Sequence, residues 1–130
     1  MKVMALDYGA ARTGVAVSDV TGTIARPLGV VARAASEDGL AELESLVSQH
    51  EVERVVVGLP LTLRGEHGAQ ALETDVFVEA LRAAVDVPVE TYDERFTTTL
   101  AERDGGAADE DARAAAHLLE SYLQSVSREG

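Results

Sequence analysis

The chain has 130 residues, enough for one domain with one hydrophobic core and too few for a second. It has no Cys, which excludes a disulfide framework and a thiolate metal site and leaves oxygen and imidazole as metal donors. Aromatic content of 4% predicts a core of Val, Leu and Ala and disfavours base stacking, while a net charge of −12 runs against the basic footprint of most nucleic-acid binders.

In chain order, Lys2 to Asp7 reads as a strand apolar on both faces, and Gly14 to Ser18 as a second. The connector Tyr8 to Thr13 is too short for a parallel crossover, so the two pair antiparallel. A third strand, about Thr23 to Val31, follows the turn Val20-Thr21-Gly22, and its Pro27 suits an edge because it cannot donate to a ladder. Ser36 caps a helix carrying Leu40, Leu43 and Val47 at helical spacing, which leads into the buried strand Arg54 to Gly58.

A polar loop from Leu59 to Gly68 precedes a second helix marked by Leu72, Val76 and Leu81. Val87 to Tyr92 is the fifth strand, and the strand–helix–strand alternation predicts right-handed parallel crossovers. The last helix starts near Asp109 with Ala112, Ala115, Leu119, Tyr122 and Val126 on one stripe. The expected architecture is α/β: an antiparallel three-stranded meander plus parallel strands in one mixed five-stranded sheet flanked by helices. The domain spans residues 1–126, and 127–130 form a polar tail. No apolar run reaches membrane-spanning length, and Asp7 arrives too early for a signal peptide, so a cytoplasmic protein is expected.

Acidic residues gather where such sheets place their ligand crevices. Asp7 ends the first strand, although an Asp before Gly9 also suits a turn. Asp93, Glu94 and Arg95 end the fifth strand, where a local ion pair is the plain alternative. Asp109, Glu110 and Asp111 open the last helix, where acids complement the helix dipole. At about 100° per residue, Asp111 lies roughly 50° from the centre of the apolar stripe. Glu110 points away from it, and Asp109 suits the N-cap. Carboxylates from two strand ends and one helix start could converge on one or two Mg²⁺ or Mn²⁺ ions. Such a site activates water and stabilises a leaving 3′-oxygen in phosphodiester hydrolysis.

The chain resembles the YqgF/RuvX family in the order and spacing of its motifs. These are Asp7-Tyr8-Gly9 with Arg12-x-Gly14-x-Ala16-x-Ser18-Asp19, then Val57-Gly58-Leu59-Pro60-Leu61, then Asp93-Glu94-Arg95-Phe96-Thr97-Thr98. Asp111-x-x-Ala114-Ala115 before Leu118-Leu119-x-Ser121-Tyr122-Leu123 completes the set. The resemblance implies a ribonuclease H-like fold related to Holliday junction resolvases and a metal-dependent nuclease that matures the 5′ end of pre-16S ribosomal RNA. It also implies that Asp7, the Asp93-Glu94 pair and Asp111 form the acidic site, with Asp7, Glu94 and Asp111 as metal ligands and Asp93 as the alternative to Glu94.

Arg12 and Arg95 would then neutralise phosphate charge, Arg95 having the neighbouring acids as its other partner. Thr97 and Thr98 suit a helix cap or a phosphate contact. Family members often have a basic residue before the first-loop arginine and basic residues leading into the final helix, where this chain has Ala11 and Gly105 to Asp109. Both changes disfavour tight binding of a four-way junction.

Gly58-Leu59-Pro60 shapes a substrate rim or merely ends a strand, and His67 is a solvated loop residue or a general acid–base. His117 reads as structural. The absence of any Lys but Lys2 argues strongly against a receiver domain, whose chemistry needs one at a later strand end, and a sugar kinase or actin-like ATPase would need a second domain. The remaining alternatives are junction resolution in place of RNA processing, and a catalytically idle binding module. The expected partner is structured RNA or branched DNA, with no membrane, and a homodimer would suit paired cuts.

Overall fold

The computed structural model describes residues 1–60, 64–93 and 108–129. Its sheet begins with the expected meander: β1 (Val3–Asp7) pairs antiparallel with β2 (Arg12–Ser18), and β2 with β3 (Ala25–Ala32). Pro27 lies on β3 at the sheet's edge, with a register irregularity opposite it between Val15 and Ala16. The turn between β2 and β3 is built by Asp19, whose carboxylate accepts from the Thr23 amide at 2.8 Å, the Ile24 amide at 3.0 Å and the Thr21 hydroxyl. Those bonds, the Thr21 hydroxyl foremost, hold its carboxyl well below the usual carboxylate range.

α1 (Glu37–Gln49) starts where the Ser36 hydroxyl accepts from the Gly39 amide at 3.0 Å, with Glu37 and Asp38 in its first turn. It returns the chain to β4 (Arg54–Leu59), which lies parallel to β1. α2 (Ala69–Ala84) then leads to β5 (Val89–Asp93), parallel to β4, and α3 (Ala108–Glu129) closes the fold. The order β3-β2-β1-β4-β5 puts β1 at the centre.

Strand alternation divides the core in two. Met4, Leu6, Val15, Val17, Val55 and Val57 face α1 and α2, where Leu43, Phe77 and Leu81 fill the space. Val3, Ala5, Ala16 and Val56 face α3, where Ala115, Leu118, Leu119 and Tyr122 pack. The face of α2 turned to the sheet differs from the expected one. Leu72 and Val76 are 56% and 72% exposed, and the buried set is Ala71, Thr74, Phe77, Val78 and Leu81. Thr74 can be buried because its hydroxyl donates to the Gln70 carbonyl at 2.9 Å. Val126, on the expected stripe of α3, is 41% exposed, and the helix continues through residues read as a polar tail. No helix among the described residues is long and apolar enough to cross a membrane.

Candidate active site

Asp7 is the last residue of β1 and shares the parity of Val3 and Ala5, so it belongs to the face that α3 covers. It is buried, at 9% exposure. Its cross-strand partner is Gly14, about 5 Å away between α-carbons, as for any directly opposed antiparallel pair. Gly14 is where α3 touches the sheet: a β-carbon there would lie 1.9 Å from the Asp111 carbonyl oxygen. Only glycine allows that approach, and the first turn of α3 therefore rests on β2 directly opposite Asp7. The strand residue Asp7 and the helix residue Asp111 are thus brought to the same edge of the sheet, at the carboxyl end of β1.

Arg12, the first residue of β2, completes this corner. Its Nε lies 3.0 Å from Oδ2 of Asp111, with the Asp111 side chain 15% exposed and the Arg12 side chain 41%. The same oxygen is buried and accepts no hydrogen bond. Proximity without N–H alignment makes the contact an ion pair and not a directed hydrogen bond.

The turn between Asp7 and Arg12 is tight, since a β-carbon on Gly9 would lie 2.5 Å from the Arg12 carbonyl oxygen. Thr13 Oγ1 braces it with contacts of 3.4 Å to the amide and to the carbonyl of Gly9.

Sequence reasoning passed over Tyr8. Its ring stacks on Phe77 of α2 with centroids 4.4 Å apart and planes 17° from parallel, tying the residue after Asp7 into the opposite core. Burial, with Glu73 as a lesser cause, raises the Tyr8 hydroxyl above its ordinary pKa. A signal was present: an aromatic residue beside an acid, of opposite parity, in a chain with few aromatics.

Other expected positions fall less neatly. Asp93 ends β5 opposite Leu59, but Glu90 and Tyr92 carry the parity of the α3 face while Val89 packs in the other core. Asp93 thus has the opposite parity to the face that carries Asp7. Glu94, Arg95, Thr97 and Thr98 lie outside the described residues. Glu110, expected to point to solvent, has a buried Oε2 without a hydrogen bond; side chains in a first turn lean toward the helix start, so a long one need not follow its angular position. α3 begins at Ala108, which puts Asp109 inside the first turn and not at the N-cap.

His67 pairs with Asp75 at 2.9 Å and tethers its loop to α2, while His117 pairs with Glu120 at 3.3 Å on the exposed side of α3. Among the described residues no group of three or more His, Asp or Glu is placed to hold a metal ion.

At the other end of α3, Arg54 Nη1 donates to the Tyr122 hydroxyl at 3.0 Å and lies 3.7 Å from Glu90. Tyr92 meets Tyr122 edge to face at 5.7 Å, and its hydroxyl lies 2.8 Å from Ser121 Oγ. This polar clamp fixes the far half of the helix, as Gly14 fixes its start.

Known proteins resemble this chain in sequence and in fold. The family model RuvX, described as Holliday junction resolvase, matches residues 1–125. A Chloroflexus aggregans protein whose name proposes a pre-16S rRNA nuclease is 48% identical over 101 residues, 78% of this chain and 71% of that protein. A Syntrophomonas wolfei protein with the same proposed name is 38% identical over 136 residues, covering 98% of this chain and 96% of its own. Among solved structures, the fowlpox virus resolvase in complex with substrate Holliday junction DNA superposes with a TM-score of 0.54 at 12% identity, over 97% of this chain and 99% of that one. That likeness is one of fold, the ribonuclease H-like mixed sheet flanked by helices. By the match over nearly its full length, the chain belongs to the RuvX family.

Proposed function

We propose that this protein is a divalent-metal-dependent nuclease that hydrolyses phosphodiester bonds in structured RNA, acting in the cytoplasm on the 5′ end of pre-16S ribosomal RNA. The observation that carries the reading is the approach of the α3 backbone at Asp111 to Gly14, the cross-strand partner of Asp7. That contact supports two carboxylates projecting from rigid elements at one sheet edge, as metal-assisted phosphoryl chemistry requires. Names of relatives and the family description support the same class of reaction.

The residues fit a hard cation. Every candidate donor is a carboxylate oxygen, and Asp111 Oδ2 is a buried acceptor without a hydrogen bond. Asp7 and Asp111 would hold Mg²⁺ or Mn²⁺. The third ligand in this reading is Glu94, since Asp93 has the parity of the opposite face. When bound, the ion supplies water activation and neutralises charge that builds on the phosphate and the leaving oxygen.

The protein's own groups do the rest. Arg12 presents a guanidinium fork suited to two phosphate oxygens, and Arg95, Thr97 and Thr98 are assigned the flanking phosphate contacts. Tyr8, clamped on Phe77, holds the strand end from which Asp7 projects. The arrangement also reconciles a −12 chain with a polyanion, because cation-bound carboxylates cease to repel the substrate.

Resolution of four-way DNA junctions is the second reading, favoured by the description of the family. A homodimer would let two sites cut paired strands symmetrically. Purified protein should be offered structured pre-16S RNA and a four-way junction, each with Mg²⁺, Mn²⁺ or chelator. Metal-dependent cleavage of RNA supports the first reading, and of the junction alone the second. Cleavage of neither would leave an idle binding module.

A further inference from the structure

We propose that Arg12 is the stand-in for the divalent cation: it neutralises Asp111 while no cation is bound, and is released toward the substrate phosphate when the cation takes that carboxylate. This rests on the functional reading above and adds a coupling between the two ligands of the site.

The observation is the state of one oxygen. Asp111 Oδ2 is buried and accepts no hydrogen bond, and the nearby Arg12 Nε at 3.0 Å compensates it. A carboxylate oxygen taken out of water needs either hydrogen bonds or an opposite charge, and here it has only the charge. The pair is built to part. Its donor is not aligned, so it lacks the strength of a forked Arg–carboxylate contact. Arg12 is 41% exposed at the very start of β2, where its long stem can swing without disturbing the core.

A divalent ion on the same oxygen would lie within about 5 Å of the guanidinium nitrogen, a like-charge contact that the short distance makes costly. The guanidinium must leave, and the anion drawn to the corner at that moment is the phosphate. Cation binding therefore prepares the phosphate contact, and Arg12 keeps the cation-free site from carrying an uncompensated buried charge. The competing explanation is that Arg12 merely pins α3 to β2, with no bearing on cation affinity.

The test is Mn²⁺ binding to nucleic-acid-free protein, read from the electron paramagnetic resonance signal of free Mn²⁺, for wild type, Arg12→Gln, Asp111→Asn and the double variant. Arg12→Gln should bind Mn²⁺ about fivefold tighter or more, while binding structured RNA more weakly with Ca²⁺ present. In the Asp111→Asn background the same change should leave the residual Mn²⁺ affinity unmoved. Unchanged or weaker Mn²⁺ binding by Arg12→Gln would overturn the proposal. So would a gain that persists without the Asp111 carboxylate, since that is general charge repulsion. If Asp111→Asn binds Mn²⁺ as wild type does, the cation-site reading itself fails, which separates the two failures. Should a variant unfold, the Arg12 Nε–H resonance of the unaltered protein serves: it must shift as Mg²⁺ saturates the site, and a stationary signal counts against release.

Discussion

The two faces of the sheet differ most at the end that carries Asp7. Toward α1 and α2, large side chains fill the space: Met4, Leu6, Val57, Leu43, Phe77 and Leu81 are all at most 1% exposed. Toward α3, Val3, Val56, Leu118, Leu119 and Tyr122 also fill space, but near Asp7 the residues are Ala5, Gly14, Ala16, Ala112 and Ala115, and at Gly14 helix and strand backbones meet. A face held by volume responds to a lost methyl group gradually, whereas one held by close backbone approach tolerates no added atom. The chemistry proposed above sits on the second face, where carboxylates meant to share an ion would have fixed positions. Backbone contact fixes them more tightly than interdigitated side chains do.

This contrast breaks most severely at Gly14. Gly14→Ala puts a methyl group where the Asp111 carbonyl stands, so the first turn of α3 must lift from β2. The expected cost is at least about 3 kcal/mol of stability, the upper end for overpacking, together with loss of cleavage. Urea denaturation and a cleavage assay on the fraction still folded check both parts.

Asp7→Asn separates chemistry from packing on the same face. Cleavage should fall by about 100-fold or more, in the range for loss of a key electrostatic group. The metal-free fold should stay intact, because the amide keeps the shape of the carboxylate. Full activity at saturating Mn²⁺ would remove Asp7 from the site.

On the other face, Leu43→Ala should cost about 3 kcal/mol through the cavity it leaves while cleavage per folded molecule stays near wild type. A change in intrinsic rate would mean that the two faces are not independent. Tyr8 stacked on Phe77 is the one contact described above through which such coupling could run.

The smallest effect belongs to the β2–β3 turn, away from both helical layers. The folded-state pKa of Asp19 is depressed below the ordinary 3.8, so its contribution is present above that pH and is lost as pH falls through the lower folded value. Asp19→Ala should melt slightly earlier at neutral pH, and the gap should close in strong acid. A gap that widens with acid would reverse the sign.

The meander, the edge position of Pro27, the parallel crossovers and the Ser36 cap were all legible, because each follows from local rules of length, turn chemistry and hydrogen bonding. Helical angle turned Asp111 toward the sheet, and its side chain is 15% exposed there, but the same angle sent Glu110 to solvent, whereas its Oε2 is in fact buried. Gly14 was not legible. The want of a β-carbon matters only when another backbone arrives from nearly a hundred residues away, and nothing near Gly14 announces that approach. The buried face of α2 misled for a related reason: Leu72 and Val76 have the apolar spacing, but Thr74 hides its hydroxyl on its own helix and joins Phe77 and Leu81 inside. The strand parity of Asp93 was not legible, because it needs the register of β5 and the layer that each neighbour joins.

The central claim is that Asp7 and Asp111 act as one cation site, and Mn²⁺ titration of wild type, Asp7→Asn, Asp111→Asn and the double variant by calorimetry tests it most directly. Residues that share an ion are not independent, so each single change should remove most of the affinity and the double should lose little more. Saturable Mn²⁺ binding with wild-type affinity in either single variant, or losses that simply add in the double, would contradict it.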